Sequence, residues 1–304
     1  MKICAVIVTY FPQKEMFAKA VNALYPQVDN IVVVNNTDGY EKDFGSDYAH
    51  GVMKKIKIIF SGKNQGVAAG HNKGIAWARK NGFSHVLLMD QDSIAQKNMV
   101  EKLFSAWKKL RAEGEKVAAV GPSVIDVWSG LPLPFIRDHK GVVRRISCMN
   151  DSEYIKVLHL ISSATLIHMP VLDVIGDMEE ELFIDSVDIE WGLRAMHKGF
   201  DCYGVCAARL YHKIGNKRVG SSILGNRRLL LHESVRYYYQ YRNAFALYRR
   251  QYIPFNWVVY DFVLQRCVRL VFFLLAAPQP IRNVKMMFKG IWHAIVGIKR
   301  PYHE

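Results

Sequence analysis

Apolar residues along this chain fall into short unbroken runs, separated by segments in which they recur every three or four positions. Ile3 to Tyr10 and His85 to Met89 are runs of strand length, the first partly β-branched. Unbroken runs of this kind mark strands buried on both faces. Asn30 to Val34 is another, closed by the loop residues Asn35-Asn36-Thr37-Asp38-Gly39, and Lys55 to Phe60 alternates as a further strand. Helices are predicted over Gln13 to Leu24, over Ile75 to Lys80 as the continuation of glycine-rich Asn64 to Gly74, and over Lys97 to Leu110. Val117 to Val120 predicts a strand ending in Gly121-Pro122, whereas polar Phe44 to His50 predicts no element. Strands alternate with crossovers long enough to hold a helix. That predicts an α/β fold with a mostly parallel, right-handed βαβ sheet.

The alternation breaks from Trp128 to Asn150, where Pro132, Pro134 and Arg144-Arg145 suggest a loop or hairpin. Val157 to His168 is apolar enough to rejoin the sheet, and Met178 to Ile184 is acidic and then apolar. Ser186 to Lys198 has helical spacing and stops at Gly199, and Phe200 to Tyr211 predicts one or two short strands. Beyond residue 225 the pattern becomes purely helical. Trp257 to Ala277 is apolar except for Asp261, Gln265, Arg266 and Arg269, which share an arc of about 140° on a helix of 3.6 residues per turn. Pro278 and Pro280 end that helix, and Ile281 to Ile298 predicts a second with Ile281, Val284, Phe288, Ile291, Ile295 and Ile298 on one face. The division expected is a catalytic domain over 1–225 and a basic, helical C-terminal extension over 226–304.

Composition sharpens this. The chain has 304 residues, half of them hydrophobic, which supplies a substantial core and excludes disorder. Its five cysteines, Cys4, Cys148, Cys202, Cys206 and Cys267, form no CxxC pair and no zinc spacing, and read as reduced thiols of a cytosolic protein. The amino terminus reads as a first strand rather than a signal peptide, and no uncharged apolar stretch is long enough to span a bilayer. The net charge of +14 is concentrated at the end: residues 226–304 carry +10 of it. A basic, amphipathic end suits an anionic lipid surface or, equally, packing on the catalytic domain or a dimer partner. Its aromatics sit in hydrophobic helices rather than a polar groove, so nucleic acid is not expected.

Candidate chemistry begins where His85 to Met89 meets Asp90-Gln91-Asp92-Ser93. Two carboxylates at the carboxyl end of a buried strand lie where open α/β sheets bind ligands, and hard oxygen ligands suit Mg²⁺ or Mn²⁺ with a diphosphate. The same residues could instead cap the following helix. Thr9-Tyr10 ends the first strand with a hydroxyl and an aromatic that can meet a base. Gly66, Gly70 and Gly74 recur every four residues, allowing close helix–sheet packing or close approach of a nucleotide, without the order of a dinucleotide fold or a P-loop. Asp185 and Asp188 lie three apart at a predicted helix start, where a carboxylate in a cleft could act as general base. Glu190 and Arg194 are spaced as a structural i,i+4 pair. His212 follows an apolar run and is a natural nitrogen ligand for a carboxylate site.

The order Thr9-Tyr10, Asn35-Asn36, Asn64-x-Gly66-x-Ala68-x-Gly70-x-Asn72-x-Gly74, Asp90-x-Asp92, Asp188-x-Glu190-x-x-x-Arg194 and His212 resembles the family 2 inverting glycosyltransferases, most of all the bacterial rhamnosyltransferases of O-antigen and capsule assembly. The resemblance spans about residues 1–215 and continues weakly into Tyr237-Tyr238-Tyr239-Gln240-Tyr241-Arg242-Asn243. It implies a GT-A fold, with a Rossmann-like sheet, and a nucleotide-sugar donor, with dTDP-rhamnose favoured. Thr9, Tyr10, Asn35 and Asn36 would meet the base and ribose, and Asn64, Gly70, Asn72, Asp90 and Gln91 would line the rest of the donor site. Asp90, Asp92 and His212 would hold Mg²⁺ or Mn²⁺, and Asp188 would be the catalytic base. A lipid-linked glycan acceptor would explain the basic end and would put the protein on the inner face of the cell membrane. A UDP-galactofuranose or UDP-hexose transferase, and a noncatalytic nucleotide-binding protein, are the competing expectations.

Overall fold

Strand β1 (Ile3–Thr9) shows why the sheet is buried on both faces. Ile3, Ala5 and Ile7 point into one apolar layer while Cys4 and Val6 point into the other. In the computed structural model, which describes residues 2–38, 52–213, 217–220, 228–231, 233–276, 280–299 and 301–302, that strand is the centre of a parallel unit. It is followed by α1 (Lys14–Leu24), β2 (Asn30–Asn35), β3 (Ile56–Phe60), α2 (Gly66–Lys80) and β4 (His85–Asp90). Next come β5 (Ile94–Ala95), α3 (Met99–Ala112), β6 (Val117–Asp126), and a hairpin of β7 (Phe135–His139) with β8 (Val142–Ile146). The core closes with β9 (Tyr154–Val157), β10 (Thr165–His168), α4 (Met169–Ile175), α5 (Val187–His197) and β11 (Asp201–His212). The sheet runs β3-β2-β1-β4-β10-β6-β11-β5, with β9 on β11. Neighbours from β3 to β4 are parallel, as are β6 and β11, and β10 is inserted antiparallel between β4 and β6.

Helices α1 and α3 contribute to the layer on one face, and α2, α4 and α5 to the layer on the other. Two of the periodic glycines are used in this packing. A Cβ on Gly74 would lie 2.2 Å from Val6 Cγ1, and one on Gly70 2.6 Å from Val8 Cγ1, so α2 rests directly on β1.

Several boundaries differ from the sequence reading. The strand expected to end at Gly121-Pro122 continues to Asp126. Pro122 is tolerated because β11 shifts register between Val205 and Arg209, opposite Pro122 and Ser123, where the ladder is interrupted. Val157 to His168 rejoins the sheet only at its two ends, and residues 158–164 cross the cleft edge as a loop. Phe200 to Tyr211 is one long strand. Cys148 and Cys206 are joined in a disulfide, which overturns the expectation of five reduced thiols. Cys206 lies in the shifted stretch of β11, within reach of the segment after β8, and a sequence separation of 58 gives no hint of that approach. Gly39, the stretch Phe44 to His50 and the stop at Pro278 lie outside the described residues.

Past the core, β12 (Lys217–Gly220) pairs β13 (Arg228–Leu231), and α6 (Ser234–Tyr248) begins the helical extension. It continues through α7 (Phe255–Tyr260), a π-helical segment over Asp261–Cys267, α8 (Val268–Ala276) and α9 (Pro280–Ile295). The polar arc of this run faces the protein. Asp261 and Arg266 are buried and paired at 3.0 Å, Tyr248 Oη donates to Asp261, and Arg269 donates to Gln240 of α6. The apolar side, with Phe262, Val263, Leu264, Val268, Val271 and Leu274, is left exposed. Among the described residues no helix is long and apolar enough to cross a membrane.

Gly74→Ala tests the contact of α2 with β1. Its added methyl has no room beside Val6, so chemical denaturation should show a loss of about 1–3 kcal/mol, the usual cost of overpacking. Unchanged stability would mean that α2 is free to move off the strand.

Candidate active site

The carboxyl ends of β1, β2 and β4 open on one side of the sheet. Thr9 and Asn35 are paired neighbours there, and both are buried. Thr9 Oγ1 donates to Asn35 Oδ1, which also accepts from the Thr37 backbone at 2.9 Å. Asn36 Nδ2 donates to Gly66 O. Asn35 Nδ2 and Asn36 Oδ1 are then left without a partner among the described residues, one donor and one acceptor at the end of the sheet. Tyr10 projects beside them, about half exposed, and its backbone is gripped by Gln91, which accepts from Tyr10 N at 2.8 Å and donates to Tyr10 O at 3.2 Å. These groups form the rim on which a planar base could rest.

Asp90 ends β4 and Asp92 lies in the turn after it. His212, at the end of β11 and 120 positions further on, is brought to 3.9 Å from a carboxylate oxygen of each. The ligand atoms of the three lie within 4.8 Å of one another, and all three side chains are partly open to the cleft. Ser93 and Ser163 hold this set in place. His212 Nδ1 and Ser93 Oγ are 2.7 Å apart, Ser163 Oγ donates to Ser93 Oγ, and Asp90 N donates to Ser163 Oγ. Burial raises the Asp90 carboxyl above its ordinary range, with His212 and Arg236 pulling against that and Asp92 adding to it. Two hard oxygen donors and an imidazole suit a divalent cation of the Mg²⁺ or Mn²⁺ kind.

Asp188 sits in the first turn of α5. Its Oδ2 accepts from Ser162 N and its Oδ1 from Ile189 N, so both oxygens are oriented by the backbone. The carboxyl adjoins a small, mainly apolar cavity of about 20 Å³ lined by Leu88, Leu160, Val187 and Trp191. Desolvation pushes its pKa up to about 6 against those two hydrogen bonds, and the charges of Asp185 and Asp90 push the same way. Asp188 accepts from Ser162 N and Asp90 N donates to the neighbouring Ser163 Oγ, so the two acidic centres flank one short segment. Leu160 also lines an adjoining cavity of about 110 Å³ with Pro122, Leu133, Phe135 and Ile161.

The loop before α5 is bent sharply. Phe183, Asp185 and Ser186 have φ of 64°, 63° and 63°, positive values that cost each non-glycine residue of order 1–3 kcal/mol. Asn243 of α6 offsets that cost, since its Nδ2 donates to the carbonyls of Leu182, Ile184 and Asp185. Arg242 adds bonds to Glu181 O and Leu182 O, and Arg236 holds Asp185 through two bonds of 2.8 and 3.1 Å.

Other residues singled out in the sequence serve the scaffold. Asn64 Oδ1 accepts from Gly66 N at the start of α2, and Asn72 is bonded to Met178 and Glu180. Gly70 faces Val8 rather than open space. The Glu190–Arg194 pair is structural as expected, with Glu190 fully buried and also bonded to Tyr252. Sequence reasoning missed Ser93, Ser163 and Arg236. Ser93 had a signal in its place directly after Asp92, whereas Ser163 and Arg236 reach the cleft from distant elements.

Residues 4–175 match the family described as Glycosyl transferase family 2. Over 254 residues, 83% of this chain and 81% of the relative, the sequence is 32% identical to the dTDP-rhamnosyl transferase RfbF of Shigella flexneri. Among solved structures it is similar to GalNAc-T7, crystallised with UDP, GalNAc and Mn²⁺, at a TM-score of 0.58 and 11% identity, covering 91% of this chain and 58% of that one. The chain belongs to glycosyl transferase family 2 and has the GT-A fold. It is a glycosyltransferase.

The raised carboxyl of Asp188 sets an expected pH dependence. A base must be unprotonated to work, so kcat/KM should fall about tenfold per pH unit below about 6 and level off above it. A flat profile between pH 7 and 5 would remove Asp188 from proton transfer.

Proposed function

We propose that the enzyme transfers L-rhamnose from dTDP-L-rhamnose, with inversion, to a lipid-linked cell-surface polysaccharide acceptor such as an O-antigen, capsule or wall glycan. The observation that carries this reading is one cleft holding both a carboxylate–imidazole cluster, Asp90, Asp92 and His212, and a separate carboxyl, Asp188, poised near neutrality. The rhamnosyl donor is favoured by the likeness to the Shigella flexneri enzyme. Residues 1–225 form the catalytic domain in this reading, and residues 226–304 form an extension whose first helix completes the site.

In the reaction, Asp188 takes the proton of an acceptor hydroxyl while that oxygen bonds to the anomeric carbon from the face opposite the diphosphate. The bond from the anomeric carbon to the diphosphate oxygen breaks, and the diphosphate leaves with its electron pair. A single displacement needs one base and no carboxylate nucleophile, which suits Asp188, the carboxyl that adjoins the apolar cavity. Thr9, Tyr10, Asn35 and Asn36 receive the base and ribose, with Gln91 bracing Tyr10 and with Asn64, Gly70 and Asn72 supporting the site through the scaffold of α2. Asp90, Asp92 and His212 would hold Mg²⁺ or Mn²⁺. Such a cation supplies positive charge to the diphosphate oxygens as the bond breaks. The apolar cavity next to Leu160 suits the acceptor side.

The extension is the proposed attachment to the membrane, peripherally on its inner face. Ile281, Phe288, Trp292 and Ile295 of α9 are exposed, by 84%, 57%, 62% and 56%, with exposed Arg282, Lys285 and Lys289 among them. Apolar side chains ringed by basic ones suit the interface of an anionic leaflet.

Asp188→Asn should lower transfer from dTDP-L-rhamnose by at least about 10²-fold, the lower end of what general bases contribute, while dTDP still binds. EDTA should silence the wild type, and Mn²⁺ should restore it. Near-normal turnover by the variant, or in chelator, sinks the corresponding role, and a preference for UDP-galactofuranose or UDP-hexoses replaces the donor. Vesicle flotation tests the attachment: full-length protein should float with anionic but not zwitterionic liposomes, and Phe288→Glu with Trp292→Glu should abolish it. If the double variant floats as the wild type does, or only changes a dimer into a monomer by light scattering, the face is not a membrane contact.

A further inference from the structure

The cleft is crowded with acid. Asp90, Asp92, Asp185 and Asp188 converge on the place where, in the reading above, a doubly charged diphosphate must enter. The basic group at that place comes from outside the core: Arg236, in the first turn of α6. We propose that Arg236 is a protein-borne positive charge for the departing diphosphate, aimed into the cleft by Asp185.

The geometry supports contact with the ligand rather than a purely structural pair. Asp185 grips only the Nε and Nη2 edge of the guanidinium, at 3.1 and 2.8 Å. The Nη1 edge has no partner among the described residues and is not sealed from solvent, since the side chain is 37% exposed while that of Asp185 is 15% exposed. Guanidinium presents a planar fork of donors matched to phosphate oxygens. It lies beside the cation cluster: Asp185, which it grips, precedes Asp188 by three positions, and Asp188 and Asp90 bond the adjacent Ser162 N and Ser163 Oγ, so that the charges of Arg236 and Asp90 act on one another. The helix that carries it is not free to swing. Arg242 and Asn243, two turns further along α6, are bonded to the 181–185 backbone. Asp185 is in turn held at a positive φ, and the Asn243 amide bonds its carbonyl.

A role confined to bracing the loop would leave nucleotide discrimination unchanged, and this separates the two accounts. The measurement is calorimetric binding of dTDP and dTMP to full-length wild type, Arg236→Gln, Arg236→Lys and Asp185→Asn, with Mn²⁺ and again in EDTA. Arg236→Gln should weaken dTDP by about tenfold or more, as for a lost hydrogen bond to a charged group, and leave dTMP within about twofold. The loss should persist in EDTA, because it belongs to the side chain and not to the cation. Arg236→Lys should recover part of the affinity, and Asp185→Asn, which keeps the guanidinium but loosens its aim, should lose less than Arg236→Gln. Millimolar guanidinium should partly restore transfer to Arg236→Gln. Equal weakening of dTDP and dTMP, or none, would overturn the proposal while leaving the glycosyl-transfer reading in place. Wild type that binds neither dTDP nor UDP would overturn the donor reading and this inference with it. Should Arg236→Gln fail to fold, Arg236→Lys carries the same comparison.

Discussion

One amide holds the Asp188 side of this cleft in shape. Asn243 Nδ2 shares its two N–H groups among three carbonyls of a loop that bends through three residues of positive φ, and Asp188, in the first turn of α5, follows three positions after the last of those carbonyls. Without that hub the loop would relax toward ordinary backbone angles, and both Asp185 and Asp188 would turn with it. Gly66 takes part from the other side, where a Cβ would lie 2.5 Å from Phe183 O and where Val67 N donates to that same carbonyl. The loop is therefore clamped between the start of α2 and the middle of α6. Strain is stored where chemistry is expected, and the bonds that retain it lie a helix away.

The other half of the cleft rests on the sheet. β1 and β4 run side by side in register, so Thr9 and Asp90 emerge at the same edge. β11 then carries His212 to that edge through its pairing with β5, where Tyr211 lies opposite Ile94. The hydroxyls of Ser93 and Ser163 link strands that are distant in sequence, and so fix the imidazole relative to the carboxylates. Rigid strands set one charge cluster and a braced loop sets the other.

Much of this was legible in the sequence because local rules decide it. Two-faced apolar runs gave β1, β2 and β4, and Asp90-x-Asp92 stood out because carboxylates follow a buried run. What the sequence hid was convergence. Nothing near Arg236 shows that its side chain meets Asp185, and nothing near Cys148 shows that Cys206 is opposite. Local rules also misled at Pro122, which ordinarily ends a strand, because a register shift in a partner strand far along the chain relieved it. The periodic glycines of α2 had two physical readings, and for Gly70 and Gly74 the packing against Val8 and Val6 shows which use the backbone makes of them.

Gly290 has a consequence that reaches beyond packing. A Cβ there would lie 2.4 Å from Tyr238 O and 3.0 Å from Arg242 N, so α9 and α6 touch backbone to backbone. The same α6 grips the loop of Asp188 a few residues on. The exposed face of α9 and the loop of Asp188 are thus joined through a single helix, α6. In the proposed reading, where α9 rests on a membrane, that contact would set the height and tilt of the cleft, and an acceptor anchored in the same surface would be measured by its length. On that reading a glycan too short to reach, or too long to fold back, would be excluded by architecture before any side chain inspects its sugars.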